Sequence, residues 1–135
     1  MVQRLHETDD ALKSKRVLVV DDDVRNIFAL SSVLERHGMT VLTAGTGHEA
    51  IEKVSSDPEI DLVLMDIMMP GMDGYDTMRE IRGMPDARAL PIVALTAKAM
   101  KGDREKCLEA GASDYLAKPV VTDQLLGVLR QWLHR

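Results

Sequence analysis

The chain is poor in the residues that staple, stack or anchor a protein. It has one cysteine among 135 residues, Cys107, so neither an intrachain disulfide nor a cysteine-based zinc site can form, and a reducing cytoplasm is the compartment that fits. Aromatics make up 3% and reduce to Phe28, Tyr75, Tyr115 and Trp132, so the core has to be aliphatic, built from Val, Leu, Ile, Ala and the nine Met. Long apolar runs are missing as well. The longest are about five residues, against the roughly 20 of a spanning helix, and Met1 to Thr8 lacks the apolar centre of a signal peptide. No membrane partner is expected. Positive charge is in deficit: 17 Lys and Arg stand against 22 Asp and Glu, for a net charge of −5. With no basic run longer than two residues, nucleic acid is excluded as a partner too.

What remains is an ordinary soluble composition, 45% apolar and 29% charged, at a length that suits one domain. Residues 1–15 are polar and aperiodic, and read as a linker or disordered lead-in. From Arg16 to the end, residues 16–135 form a regular alternation. Val17-Leu18-Val19-Val20 is a short, β-branched apolar run ending in acid. A helical stripe of Ile27, Leu30 and Leu34 follows, closed by Gly38. Thr40 to Ala44 alternates weakly, as an edge strand does. Thr46 and Glu49 have capping-box spacing at the start of a helix through Ile51 and Val54. Leu62-Val63-Leu64-Met65 is a second fully apolar strand, followed by a helix over Gly74 to Arg82. Pro91-Ile92-Val93-Ala94-Leu95 is a third, with proline at its first position. A helix around Ala99 to Glu109 ends at Gly111. Tyr115-Leu116-Ala117 is the last strand, and the last helix starts near Thr122 with Leu125, Leu129, Trp132 and Leu133 on one face. Five strands alternating with five helices predict a parallel sheet with helices on both faces, in the flavodoxin-like doubly wound order 2-1-3-4-5.

In such a sheet the site lies beyond the carboxyl ends of the strands, at the switch point between the first and third. The first strand ends in Asp21-Asp22-Asp23, the third in Asp66, the fourth in Thr96 and the fifth in Lys118-Pro119. Two carboxylates about 4 Å apart repel by roughly 4 kcal/mol at an effective dielectric near 20, so the cluster must take up protons or a cation. All-oxygen ligands with few protein donors suit Mg²⁺. Together with Lys118 and the Thr96 hydroxyl, such an ion makes a receptor for a phosphoryl group, with Asp66 as nucleophile. Asp23 reads as the cap of the first helix.

Val-Leu-Val-Val-Asp21-Asp22-Asp23, Leu-Met-Asp66-Ile-Met-Met-Pro70-Gly-Met-Asp-Gly74, Ala-Leu-Thr96-Ala and Tyr115-Leu-Ala-Lys118-Pro119 resemble the signature blocks of the response regulator receiver domain, in order and in register over residues 16 to 134. The stretch Asp23-Val-Arg25-Asn26-Ile-Phe-Ala-Leu further resembles receivers attached to hybrid histidine kinases. The resemblance implies that Asp66 is phosphorylated by a histidine kinase (a separate one or its own kinase core) or through a phosphotransfer protein, in a two-component phosphorelay. It implies Mg²⁺ ligation by the Asp22 and Asp66 side chains and the Met68 carbonyl, with Asp21 acting through water. Thr96 and Lys118 would hold phosphoryl oxygens. Thr96 and Tyr115 match the family's switch pair, so the surface of the fourth helix, fifth strand and fifth helix is the expected readout face and a candidate homodimer interface. As an isolated domain the chain would not be an enzyme, since it acts only on its own acyl phosphate. Met68 would flank the path of an attacking water, within reach of Lys98. The Lys118–Pro119 bond is expected to be cis, because the ammonium must turn back into the crevice directly after a strand.

Other signals are weaker. Gly45-Thr46-Gly47-His48-Glu49-Ala50 matches G-x-G-x-x-A, but the strand before it is polar and that dinucleotide fingerprint wants a central one. His6-Glu7 has no helical pattern around it, the methionines near Asp66 read as packing, and Cys107 reads as buried filler. The rival function from another class is a protein-interaction module of the same fold that is never phosphorylated. The complete set of Asp22, Asp66 and Lys118 argues against it.

Overall fold

The structure, a computed structural model, describes residues 12–97 and 102–133. The strands are β1 (Arg16–Val20), β2 (Thr40–Ala44), β3 (Leu62–Asp66), β4 (Ile92–Thr96) and β5 (Asp114–Ala117). The helices are α1 (Val24–Arg36), α2 (Gly47–Ser56), α3 (Gly74–Arg82), α4 (Asp103–Ala110) and α5 (Thr122–Leu133). All strands pair in parallel in the order β2-β1-β3-β4-β5. The expected topology is the one observed. The weakly alternating β2 lies at an edge, and the three apolar strands fill the centre.

Side chains alternate across the sheet, as a two-residue period requires. Leu18, Val20, Val63, Met65, Ile92 and Ala94 face one core with Ala50, Val54, Met78, Ile81 and Cys107 of α2, α3 and α4. Val17, Val19, Leu62, Leu64, Val93 and Leu95 face the other, against Leu30, Leu34, Leu125 and Leu129 of α1 and α5. Cys107 is indeed buried packing, and burial pushes its thiol pKa up. Leu12 joins the second core with no exposed surface. The Ser14 N–H donates to Gly38 O at 2.8 Å, and Thr40 N–H to Lys15 O at 2.8 Å. Residues 12–15 thus belong to the folded unit, although their polarity suggests a lead-in. Residues 1–11, with His6 and Glu7, lie outside the described residues.

The caps fall where the sequence puts them. Asp23 accepts from Arg25 N–H at 2.9 Å and Thr46 Oγ1 from Glu49 N–H at 3.1 Å. Gly38 takes φ +79° just past α1, the left-handed conformation that ends helices. The start expected for the fourth helix at Ala99 falls outside the described residues; α4 is described from Asp103. Gly74 matters for the site. A Cβ there would meet the backbone oxygen of Asp66 and lie 2.7 Å from Ile67 Cα, so only glycine lets α3 start directly against the exit of β3. Its N–H donates to Ile67 O at 3.1 Å, fixing the loop after Asp66.

Candidate functional site

Parallel pairing sets the strand ends side by side, and each delivers one reactive group. Asp21 follows β1, and its N–H donates to Ala44 O at 3.1 Å. Asp66 is the last residue of β3 and pairs in register with Leu95 of β4. Thr96 ends β4, and its carbonyl accepts from Lys118 N–H at 2.7 Å. The Lys118–Pro119 bond is cis, as expected.

Asp21, Asp22 and Asp66 come together with one carboxylate oxygen from each within 4.8 Å of the others. Asp21 is 1% and Asp66 2% exposed, while Asp22 faces solvent. Lys118 Nζ reaches across to Asp66 Oδ1 at 2.8 Å and Asp21 Oδ2 at 3.4 Å. Met68 N–H donates to Asp66 Oδ1 at 3.3 Å, and its side chain is exposed. Burial raises the Asp66 pKa above the usual carboxylate value; the Lys118 bond opposes that, and the Asp21 charge adds to it. Burial alone would lower the Lys118 pKa, but its bonds to Asp66 and Asp21 outweigh it and hold the ammonium above its usual value. Among the described residues, three carboxylates face one ammonium, which leaves the crevice short of positive charge. This donor set, all oxygen and partly open, fits a hard divalent cation.

Thr96 is buried beside the cluster. Tyr115 stands apart from it, pairing in register with Ala94 and packed partly buried against the α2–α3–α4 core. Lys98 lies outside the described residues. Two features escape sequence reading. Asn26 Nδ2 donates to Asp21 Oδ2 at 3.3 Å. A groove of about 540 Å³ runs between α1 and α5 from Asp21 and Lys118 over Leu30, Val33 and Leu125. A polar residue in a helix's first turn looks like any solvated one, and a groove between two elements has no sequence period. Among the described residues, no helix is long and apolar enough to cross a membrane.

A doubly wound α/β sheet with an acidic, lysine-closed crevice at its switch point defines a flavodoxin-like protein whose clustered carboxylates could hold a metal ion. The family model of the response regulator receiver domain matches residues 17–130, and the chain belongs to that family, the receivers of two-component signalling. It is 40% identical over 125 residues, 93% of its length, to the signal transduction histidine-protein kinase BarA of Shigella flexneri. It spans only 14% of that kinase. Among solved structures it is similar to the receiver domain of sensor histidine kinase PA1611 from Pseudomonas aeruginosa PAO1, which has a magnesium ion coordinated in its active site cleft. The TM-score is 0.83 with 38% identity, over 90% of this chain and 99% of that one. It is also similar, at TM-score 0.82 and 30% identity over 89% of each chain, to a structure from Saccharomyces cerevisiae. That structure is the complex of the histidine phosphotransfer protein Ypd1 with the receiver domain of the response regulator Ssk1.

Proposed function

We propose that this receiver takes a phosphoryl group from a phosphohistidine onto Asp66 and later releases it to water. An Asp66 carboxylate oxygen attacks phosphorus, the new P–O bond forms as the P–N bond breaks, and the imidazole departs with the electron pair. The observation that carries this reading is Lys118 Nζ at 2.8 Å from the buried Asp66 oxygen within the three-carboxylate cluster. Asp66 is then the nucleophile, and Lys118 and the Thr96 hydroxyl hold phosphoryl oxygens as charge builds on them. The Asp22 and Asp66 side chains and the Met68 carbonyl would hold Mg²⁺, with Asp21 acting through water. When bound, the ion supplies charge neutralisation for the anionic group.

Phosphoryl oxygens on Asp66 would draw Thr96 inward and let Tyr115 turn from its half-buried site, passing the signal to the α4–β5–α5 face, where a partner or a second copy would read it. The donor is a protein, either a histidine kinase or a phosphotransfer protein, working in the cytoplasm. Support comes from exposed apolar side chains close in sequence to the site residues: Val24 and Phe28 on α1 are each 75% exposed, and Met68, two residues after Asp66, and Val121, three after Lys118, are exposed as well. Such apolar groups near a polar site favour protein contact. Acting only on its own acyl phosphate, the domain would turn over no separate substrate. The test is phosphate-affinity electrophoresis after incubation with acetyl phosphate and Mg²⁺. Wild type should shift and Asp66→Asn should not; equal shifts would refute the assignment. In parallel, Asp22→Ala should lose Mg²⁺ binding.

A further inference from the structure

Asn26 sits three residues into α1, where a helical side chain leans back toward the helix start. Its Nδ2 donates to Asp21 Oδ2 at 3.3 Å, and Lys118 Nζ donates to the same oxygen at 3.4 Å. The other oxygen, Oδ1, accepts the Asp23 N–H at 2.8 Å. Because Asp21 is 1% exposed, water is poorly placed to replace a lost donor.

We infer that Asn26 is a positioning residue, holding the Asp21 carboxylate toward the acidic crevice independently of Lys118; this rests on the acceptor reading of Asp66. Lys118 is divided between two carboxylates and already binds Asp66 more closely, at 2.8 Å. Any anionic group arriving at Asp66 competes further for that ammonium, which leaves Asn26 as the side-chain donor still on Oδ2. A buried carboxylate oxygen without a donor is costly, and Asp21 would swing. An amide suits the task because it donates without charge. A Lys or Arg in its place would offset the negative charge that a divalent cation needs.

Asn26→Leu keeps the shape, removes the donor and extends the apolar wall of the α1–α5 groove. Partners that orient metal-site ligands typically contribute about 10–100-fold in metal affinity, and a 3.3 Å bond belongs at the low end. Calorimetric titration of the full chain with Mg²⁺ should show about tenfold weaker binding in Asn26→Leu, with Asn26→Gln recovering part of it. In metal-free protein the Asp23 amide resonance, which reports the bond to Asp21, should move. In an Asp21→Asn background Asn26→Leu should add less than about twofold, because its effect runs through Asp21. Unchanged affinity with an unmoved Asp23 resonance would overturn the inference, as would penalties that multiply in full in the double variant. If wild type takes no phosphoryl group from acetyl phosphate while Asn26→Leu still moves the Asp23 resonance, the acceptor reading fails and the positioning role stands.

Discussion

The acidic crevice is held together at a cost, and Asp66→Asn measures it. At an effective dielectric of 20, the 2.8 Å bond to Lys118 gives the Asp66 charge about 6 kcal/mol of attraction. Repulsion from Asp21, at a separation of at most 4.8 Å, takes back at least about 3.5 kcal/mol, and the exposed, better screened Asp22 takes somewhat less. The Coulomb contributions therefore nearly cancel. What decides the sign is desolvation of a carboxylate that is 2% exposed, a penalty of several kcal/mol. The raised pKa of Asp66 has that same first cause. Asparagine keeps an acceptor for Lys118, which retains Asp21 as its charged partner. The variant should therefore be more stable than wild type by about 1–3 kcal/mol at neutral pH without metal, or roughly 4–12 °C in Tm for a domain of this size.

The pH dependence carries its own sign. With the folded pKa of Asp66 above its unfolded value of 3.8, the folded state binds the extra proton between the two. Wild-type stability therefore falls as pH rises through that window. Below it the carboxyl is neutral in both states and the advantage of Asp66→Asn should close. Urea denaturation in EDTA from pH 7.5 down to pH 4 tests both parts. A variant less stable at pH 7.5, or a gap that stays constant down to pH 4, would refute the reasoning. Added Mg²⁺ should narrow the gap from the wild-type side, since a ligand stabilises only the state that binds it.

Leu12→Ala should cost about 2–5 kcal/mol in urea denaturation, the range for a leucine removed from a packed core; a loss below about 0.5 kcal/mol would remove residues 12–15 from the folded unit. Met68→Asn replaces the 59% exposed apolar side chain beside Asp66 with one that can orient water. The acyl phosphate half-life should shorten several-fold, and a longer one would contradict the position assigned to Met68. With beryllofluoride, amide exchange in α4 should change in wild type and much less in Thr96→Ala. Equal changes would mean that Thr96 and Tyr115 are not the relay.

The fold and its site were not equally open to sequence reading, and the reasons are physical. Strands buried on both faces must be apolar at every position, so Val17–Val20, Leu62–Met65 and Ile92–Leu95 announced themselves without any partner in view. Because their crossovers hold all five strands parallel, the residue after each run is carried to the same edge. Asp21, Asp66, Thr96 and Lys118 were readable for that reason. Leu12 was not, because a single leucine has no period, and its burial depends on a core, shared with Leu30, Leu34, Leu125 and Leu129, that exists only after α1 and α5 have docked on the sheet.

Arg82 was equally silent. It donates to Gly111 O at 2.8 Å and Ala87 O at 2.7 Å, tying α3 to two loops, yet a basic residue in a helix's last turn is expected for dipole reasons alone. Phe28 shows the same limit from the opposite direction. The stripe of Ile27, Leu30 and Leu34 defines the buried face of α1, and Phe28 lies off it, 75% exposed. Its position beside the stripe was visible in the sequence; how far it stays uncovered was not, because that depends on how α1 leaves β1 and packs against the sheet. Periodicity reports which face of an element is covered within the chain. What an uncovered aromatic is for depends on what comes to cover it, and Phe28 sits on the helix that begins two residues after Asp22 of the carboxylate cluster.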